Sequence, residues 1–245
     1  MKKLLQTLLP MVLLVAAGGA AAQDAGDDIL KTVNAYVNFE DSVSNLQMKV
    51  LRQGRVEIEY DMKVHKLDSQ RMRIEFLQPV REKGRRILRV GDKMWMFLPD
   101  LGKPIVISAR QSFLGSSFSN GDLLRTDLVA DYTSKVVREE AVDGVAAQVL
   151  ELRARKAEVA YDRIVLWVDK ASKRPLREEF FTLSGKRIKV MTFAKPAKYD
   201  GVEVNTEMRV DSDLNPQEQT VLTVSKLALK QKLSNAMFQK DSFER

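Results

Sequence analysis

Residues 55–76, RVEIEYDMKVHKLDSQRMRIEF, decide the fold class. Val56, Ile58, Tyr60, Met62 and Val64 alternate with Glu57, Glu59, Asp61 and Lys63. Met72, Ile74 and Phe76 then alternate with Arg71, Arg73 and Glu75. Successive side chains of a strand point to opposite faces, so a strict period of two means strands with one apolar and one wetted face.

The same period recurs along the rest of the chain. Ile164, Leu166 and Val168, then Ile188 and Val190, then Val202, Val204, Met208 and Val210 repeat it. Turn pairs punctuate the runs at Gly91-Asp92, Asp143-Gly144, Ser184-Gly185, Asp200-Gly201 and Asn215-Pro216. About a dozen strands joined mainly by short turns describe an antiparallel meander. No Pro/Ser/Gly-rich linker divides them, so residues 23–245 read as a single domain. Upstream, Asp27 and Asp28 precede Ile29, Leu30, Val33, Tyr36 and Val37, the spacing of a helix with one apolar stripe and acidic residues at its positive end. A short helix is expected at Ser234–Phe238, with Ser234 as N-cap.

One stretch breaks the rhythm. Residues 108–128, SARQSFLGSSFSNGDLLRTDL, are too long and glycine-rich for a hairpin and too apolar for a solvated loop. Loops of that length usually have a function or carry short helices.

Composition excludes much chemistry. The 245 residues carry 40 Lys and Arg, 33 Asp and Glu and one His, a formal net charge of +7. With 44% hydrophobic and 30% charged residues the chain is globular in composition. The lack of cysteine excludes disulfides, thiolate zinc sites, a thiol nucleophile and a lipid-modified cysteine. A lone histidine excludes a multi-histidine metal centre. No G-x-S-x-G, P-loop or HExxH pattern occurs, and no catalytic residue, metal or cofactor is expected. His65 falls at a strand end beside a turn and is expected on the surface. Basic residues are interspersed with acidic ones, which argues against nucleic acid as a partner. The patch Arg81-Glu82-Lys83-Gly84-Arg85-Arg86 reads as a solvated loop.

Residues 1–22, MKKLLQTLLPMVLLVAAGGAAA, have the layout of a secretory signal peptide: two lysines, an apolar core and small residues before a cleavage point after Ala22. The apolar run is shorter than the roughly 20 residues of a membrane span. A periplasmic location is expected.

A dozen strands with few helices must close into a barrel or curl around the helices. The 29–37 stripe is too narrow to fill a large barrel, so a curled sheet capped by helices is favoured. Such a hollow is either an apolar site for lipid or a fully packed core; periodicity fits both. Residues 93–99, KMWMFLP, are apolar on both faces, which requires a cover on each. Methionine is abundant, ten in all, and suits pockets for variable chains as well as ordinary cores.

Residues 83–128 carry Lys83-Gly84, Gly91-Asp92-Lys93-Met94-Trp95, Phe97-Leu98-Pro99, and Phe113-Leu114-Gly115-Ser116-Ser117-Phe118-Ser119 with Asp122-Leu123. In these marks the segment resembles the LolA-like periplasmic outer-membrane lipoprotein-sorting proteins. The resemblance implies a mainly β (α+β) fold, a strongly curved antiparallel sheet forming an incomplete β-barrel covered by a few helices. It also implies a carrier of lipoprotein or lipid acyl chains, a monomer loaded by an inner-membrane exporter and relieved by an outer-membrane acceptor. Carriers of this family use an arginine near the cavity to hold the closed state; no residue of this sequence is matched to it.

The candidate lipid-binding cavity comprises Val56, Ile58, Tyr60, Met62, Met72, Ile74, Phe76, Met94, Trp95, Met96 and Phe97. Segment 110–125 is the candidate lid or plug, with Phe113, Leu114, Gly115, Phe118, Leu123 and Leu124 covering the hollow and Gly115 and Gly121 allowing movement. Two other functions remain open at this level: a non-carrier adaptor of an envelope export complex with a solid interior, and a cavity-based enzyme that would have to use His65.

Overall fold

The computed structural model describes residues 17–124 and 127–243. Helix α1 spans Ala17–Val37. It begins well before Asp27 and Asp28, because the alanine-rich run ahead of them is itself helix-forming. These aspartates therefore do not cap its start. Asp27 accepts hydrogen bonds from the Ser134 N–H (3.3 Å) and Oγ (2.7 Å), and Asp28 pairs with Lys31 at 2.9 Å. Residues 1–16 of the expected signal peptide lie outside the described residues, and the expected cleavage point falls within α1.

Among the described residues, thirteen strands form one antiparallel sheet. The first six are β1 (Ser42–Arg52), β2 (Arg55–Lys66), β3 (Arg71–Gln78), β4 (Arg86–Val90), β5 (Lys93–Leu98) and β6 (Lys103–Ile107). After a long connection come β7 (Tyr132–Val142), β8 (Val145–Ala154), β9 (Arg163–Asp169) and β10 (Pro175–Phe181). The last three are β11 (Arg187–Tyr199), β12 (Val202–Ser212) and β13 (Glu218–Ala228). The spatial order is β6-β5-β4-β3-β2-β1-β13-β12-β11-β10-β9-β8-β7. The chain thus builds outward from β1 to β6, jumps to the opposite edge, and builds inward until β13 pairs with β1. The edges β6 and β7 do not pair, and the sheet stays open as an incomplete barrel.

That order explains the long connection. Residues 108–131 must carry the chain from one edge to the other. Flat, thirteen strands would separate those edges by roughly 55–60 Å. The connection spends its length on a closed turn and two short helices, α2 (Asn120–Leu124) and α3 (Leu128–Asp131), so only a strongly curled sheet lets it cross. It crosses on the concave side. One apolar cluster lines that side with residues from every strand, from Met48 of β1 to Leu222 of β13, and includes Leu30 and Val33 of α1 and Phe113 and Phe118 of the connection.

Strand β5 is apolar on both faces because both are covered. Met94 joins the concave core, while Trp95 and Phe97 pack on the convex side against Leu88, Leu233, Met237 and Phe238. The cover is the C-terminal 3-10 turn Asn235–Phe238, on the predicted short helix, whose Ser234 Oγ accepts from the Ala236 N–H at 3.3 Å. Gly26 lets α1 approach β7: a Cβ there would lie 2.9 Å from the Lys135 Cα. The basic patch is largely internally paired, with Glu82 2.6 Å from Arg85 and the Arg86 guanidinium 4.3 Å over the Phe97 ring.

Candidate functional site

The connection is a plug pinned at both ends. Its tip closes through the Phe113 N–H to Phe118 O bond (2.8 Å) and a bridge between Ser112 and Ser119, so this long segment does end in a hairpin-like turn. Gly115 sits exposed at that turn with φ +77°, the left-handed region that suits glycine. Ser119 and Asp122 form a reciprocal capping box at the start of α2: the Ser119 N–H donates to Asp122 Oδ2 (2.6 Å), and the Asp122 N–H to Ser119 Oγ (3.2 Å). Gly121 is closely packed: a Cβ there would lie 2.8 Å from the Ala160 Cβ.

Two cationic side chains hold the plug from the sheet. Lys189 of β11 is paired with Asp122 and donates to Ser117 O at 3.0 Å, with both ion-pair side chains nearly sealed (6% and 2% exposed). Asp122 also accepts from the Tyr161 hydroxyl at 2.8 Å. Arg89 of β4, 2% exposed, donates to Leu124 O (2.5 Å), Ser69 O (2.7 Å) and Gly91 O (2.8 Å). Its guanidinium fork thus ties the end of α2 to two loops of the sheet.

The plug leaves space beneath α1. Two cavities of about 190 and 120 Å³ lie between the helix and the concave face. Each exceeds by far the roughly 10–15 Å³ that one water requires. Met72, Ile74, Leu123, Leu222 and Val224 make the larger one mainly apolar; Val33, Ile164, Phe180 and Met191 do so for the smaller. Val37, Asp122, Phe193 and Met208 line both and form the partition.

Each cavity is lined by an ionisable group, Lys66 buried and Glu178 half-buried. Lys66 lines the larger one and donates to Asn38 Oδ1 (2.5 Å) and Val37 O (3.4 Å), closing the C-terminal end of α1. Burial, then the Arg89 charge, lowers its pKa to about 7. In the smaller cavity burial, then the Asp122 charge, raises Glu178 to about 8. Burial likewise raises Tyr161 and Tyr132, which share that wall. The Glu178 shift means that the folded state binds its proton more tightly than the unfolded chain does. Its contribution should therefore be most favourable below the ordinary value of 4.5 and decline as pH rises to about 8. Glu178→Gln is expected to abolish that decline, read as urea midpoints across the interval. A parallel decline in the variant would contradict it.

The structure disperses the candidate cavity residues. Met72 and Ile74 line the larger cavity. Met62 and Met94 are buried core, and Ile58 and Met96 pack half-buried against it. Tyr60 and Phe76 support the plug instead: Phe76 stacks on Phe113 at 6.1 Å and meets Tyr60 edge-on at 6.0 Å. Val56 does not belong to a cavity, since it projects beside the Gln53-Gly54 turn at 51% exposure. Trp95 and Phe97 do not either, because alternation puts them on the convex face. Phe113, Phe118 and Leu124 are buried in the plug, Leu114 is half-buried, and Leu123 reaches the larger cavity.

His65 is not a surface residue. It is 7% exposed in β2, between Val43 and Arg73, with Nδ1 unpartnered among the described residues and its pKa lowered by burial. Among the described residues no carboxylate or hydroxyl is hydrogen-bonded to it to make a catalytic triad. Among the described residues no group of three or more His, Cys, Asp or Glu is placed to hold a metal, and no helix is long and apolar enough to cross a membrane. Sequence reading missed Lys66, Arg89, Glu178 and Lys189. Each is a charged residue at an inward strand position, where charge alone signals the wet face.

The architecture recurs in solved structures. A LolA superfamily protein from Nitrosomonas europaea is 26% identical, with a TM-score of 0.81 over 89% of this chain and 98% of that one. A domain assigned to outer membrane lipoprotein-sorting proteins from Vibrio parahaemolyticus is 25% identical, with a TM-score of 0.81 over 91% of this chain and all (100%) of that one. A DUF1329 family protein from Desulfovibrio piger is 27% identical, with a TM-score of 0.82 over 91% and 99%. A family model described as "uncharacterized protein" matches residues 68–245, most of the chain. The chain belongs to the family that this model describes, and its fold is LolA-like. No curated protein matches the sequence. The LolA-like sheet, open at β6 and β7, is what leaves room for both the plug and the cavities.

Proposed function

We propose that the protein is a periplasmic carrier that shelters the acyl chains of a lipoprotein or lipid between α1 and the concave sheet. It takes them from an inner-membrane exporter and yields them towards the outer membrane. It works as a monomer after removal of signal peptide 1–22. The observation that carries this reading is the pair of mainly apolar cavities divided by four side chains, two of them the flexible or rotatable Met208 and Phe193. Each exposed methylene costs about 0.8 kcal/mol in water, so a carrier must offer an enclosure comparable to a bilayer. It must also release its load. A plug that exchanges its own apolar contacts for those of the chain keeps the net difference small. Phe113 and Phe118 fill the hollow in the resting state, and Arg89 and Lys189 hold them there.

Native mass spectrometry of protein purified from the envelope should show a co-purifying acyl lipid; lipid-free protein that also binds no fluorescent acyl probe would end the carrier reading. Phe113→Ser and Phe118→Ser should raise the rate of probe uptake severalfold while circular dichroism keeps its β signature. Unchanged uptake and release in folded variants would make the segment a static part of the core.

A further inference from the structure

Strand β10 presents Glu178 to the concave face. Its cross-strand neighbours are Leu166 of β9 and Met191 of β11, 0% and 4% exposed. An aliphatic side chain would satisfy such a position, and an ionisable one there costs stability unless it is partnered. Glu178 has no hydrogen bond or ion pair with the described residues, yet it lines the smaller cavity. The cation on the next strand, Lys189, is held by Asp122 and Ser117 O. The other groups facing the cavity are Asp122 from α2, Asp131 from α3, Tyr132 from β7 and Tyr161 ahead of β9. With its pKa pushed up to about 8 by burial and by Asp122, Glu178 is mostly a neutral acid at neutral pH. A neutral acid donates a hydrogen bond. The wall beside it is hydrocarbon from Val33, Ile164, Phe180 and Met191. An anionic headgroup would meet Asp122 with no spare cation, and a cationic one would be stripped of water in an apolar cavity. An uncharged oxygen acceptor on a hydrocarbon chain matches both features.

We propose that Glu178 hydrogen-bonds the carbonyl oxygen of an acyl ester or amide, so that the smaller cavity seats the uncharged polar junction of an acyl lipid. This rests on the carrier reading and narrows its cargo. Displacement of a bound pyrene-alkane by methyl palmitate, by palmitate and by hexadecane tests it, well below and well above the Glu178 pKa. Below it, methyl palmitate should displace the probe about tenfold better than hexadecane, the worth of one neutral hydrogen bond. Glu178→Leu should erase that preference and leave hexadecane unaffected. Glu178→Gln, which is isosteric and still donates, should keep it at both pH values, whereas the wild type should lose it above the pKa. Equal displacement by ester and hydrocarbon, a preference that survives Glu178→Leu, or palmitate matching the ester would overturn the proposal and leave the carrier reading standing. Failure of the pyrene-alkane to bind at all would overturn both.

Discussion

Replacing Lys189 by methionine is expected to destabilise the protein by about 3–5 kcal/mol, the usual cost of stranding one member of a buried ion pair. The stranded charge is Asp122 of α2, whose side chain is 2% exposed and hydrogen-bonded by the Tyr161 hydroxyl. Lys189 also lies 5.0 Å from the Tyr161 and Phe180 ring centres and 6.0 Å from that of Phe118, so its loss removes cation–π attraction as well. The double change Lys189→Met with Asp122→Leu should recover a large part of the loss, because no charge then remains unpaired. Urea unfolding of the wild type, both single variants and the double variant gives the coupling. A Lys189→Met loss below about 1 kcal/mol would show that the pair is more solvated than the geometry indicates.

Arg89→Leu should be comparably severe, by about 3 kcal/mol, and more selective in where it acts. Leu124 O loses its donor at a buried site, and Ser69 O and Gly91 O lose theirs at part-buried ones. Arg89→Lys retains the charge without the planar fork and should fall between. The plug amides, Phe113 and Asn120 among them, should exchange with deuterium faster than those of β8 and β9, and acyl-probe uptake should quicken. Uniform destabilisation with unchanged relative protection of residues 108–124 would mean that Arg89 braces the sheet and does not latch the plug.

The sheet was legible because its cause is local. Alternation in residues 55–76 needs only the backbone's period of two, and the structure places Tyr60, Met62, Val64, Met72, Ile74 and Phe76 together on the concave core. The double-faced β5 was legible as a demand for two covers, but its convex cover comes from Leu233 to Phe238, far along the chain. The site was much less legible. Two adjacent glutamates on a strand must face opposite ways, and nothing in Arg177-Glu178-Glu179-Phe180 says that Glu178 is the inward one. On β11, Ile188 and Val190 suggested that Lys189 faces water; it shares the inward face with Met191 and Phe193 instead. Val56 continued an apolar alternation past the point where the hairpin leaves the curl.

By itself, then, the sequence determined a cysteine-free β-meander with one leading helix and an anomalous apolar connection, since strand period, turns and composition act over a few residues. Tertiary structure decided that the connection plugs the hollow, that Arg89 and Lys189 pin it, and that cavities remain beneath α1, one lined by a carboxyl without a hydrogen-bond partner among the described residues. Those outcomes depend on how volumes and charges from strands over a hundred residues apart add up at one place, a sum that no local pattern contains.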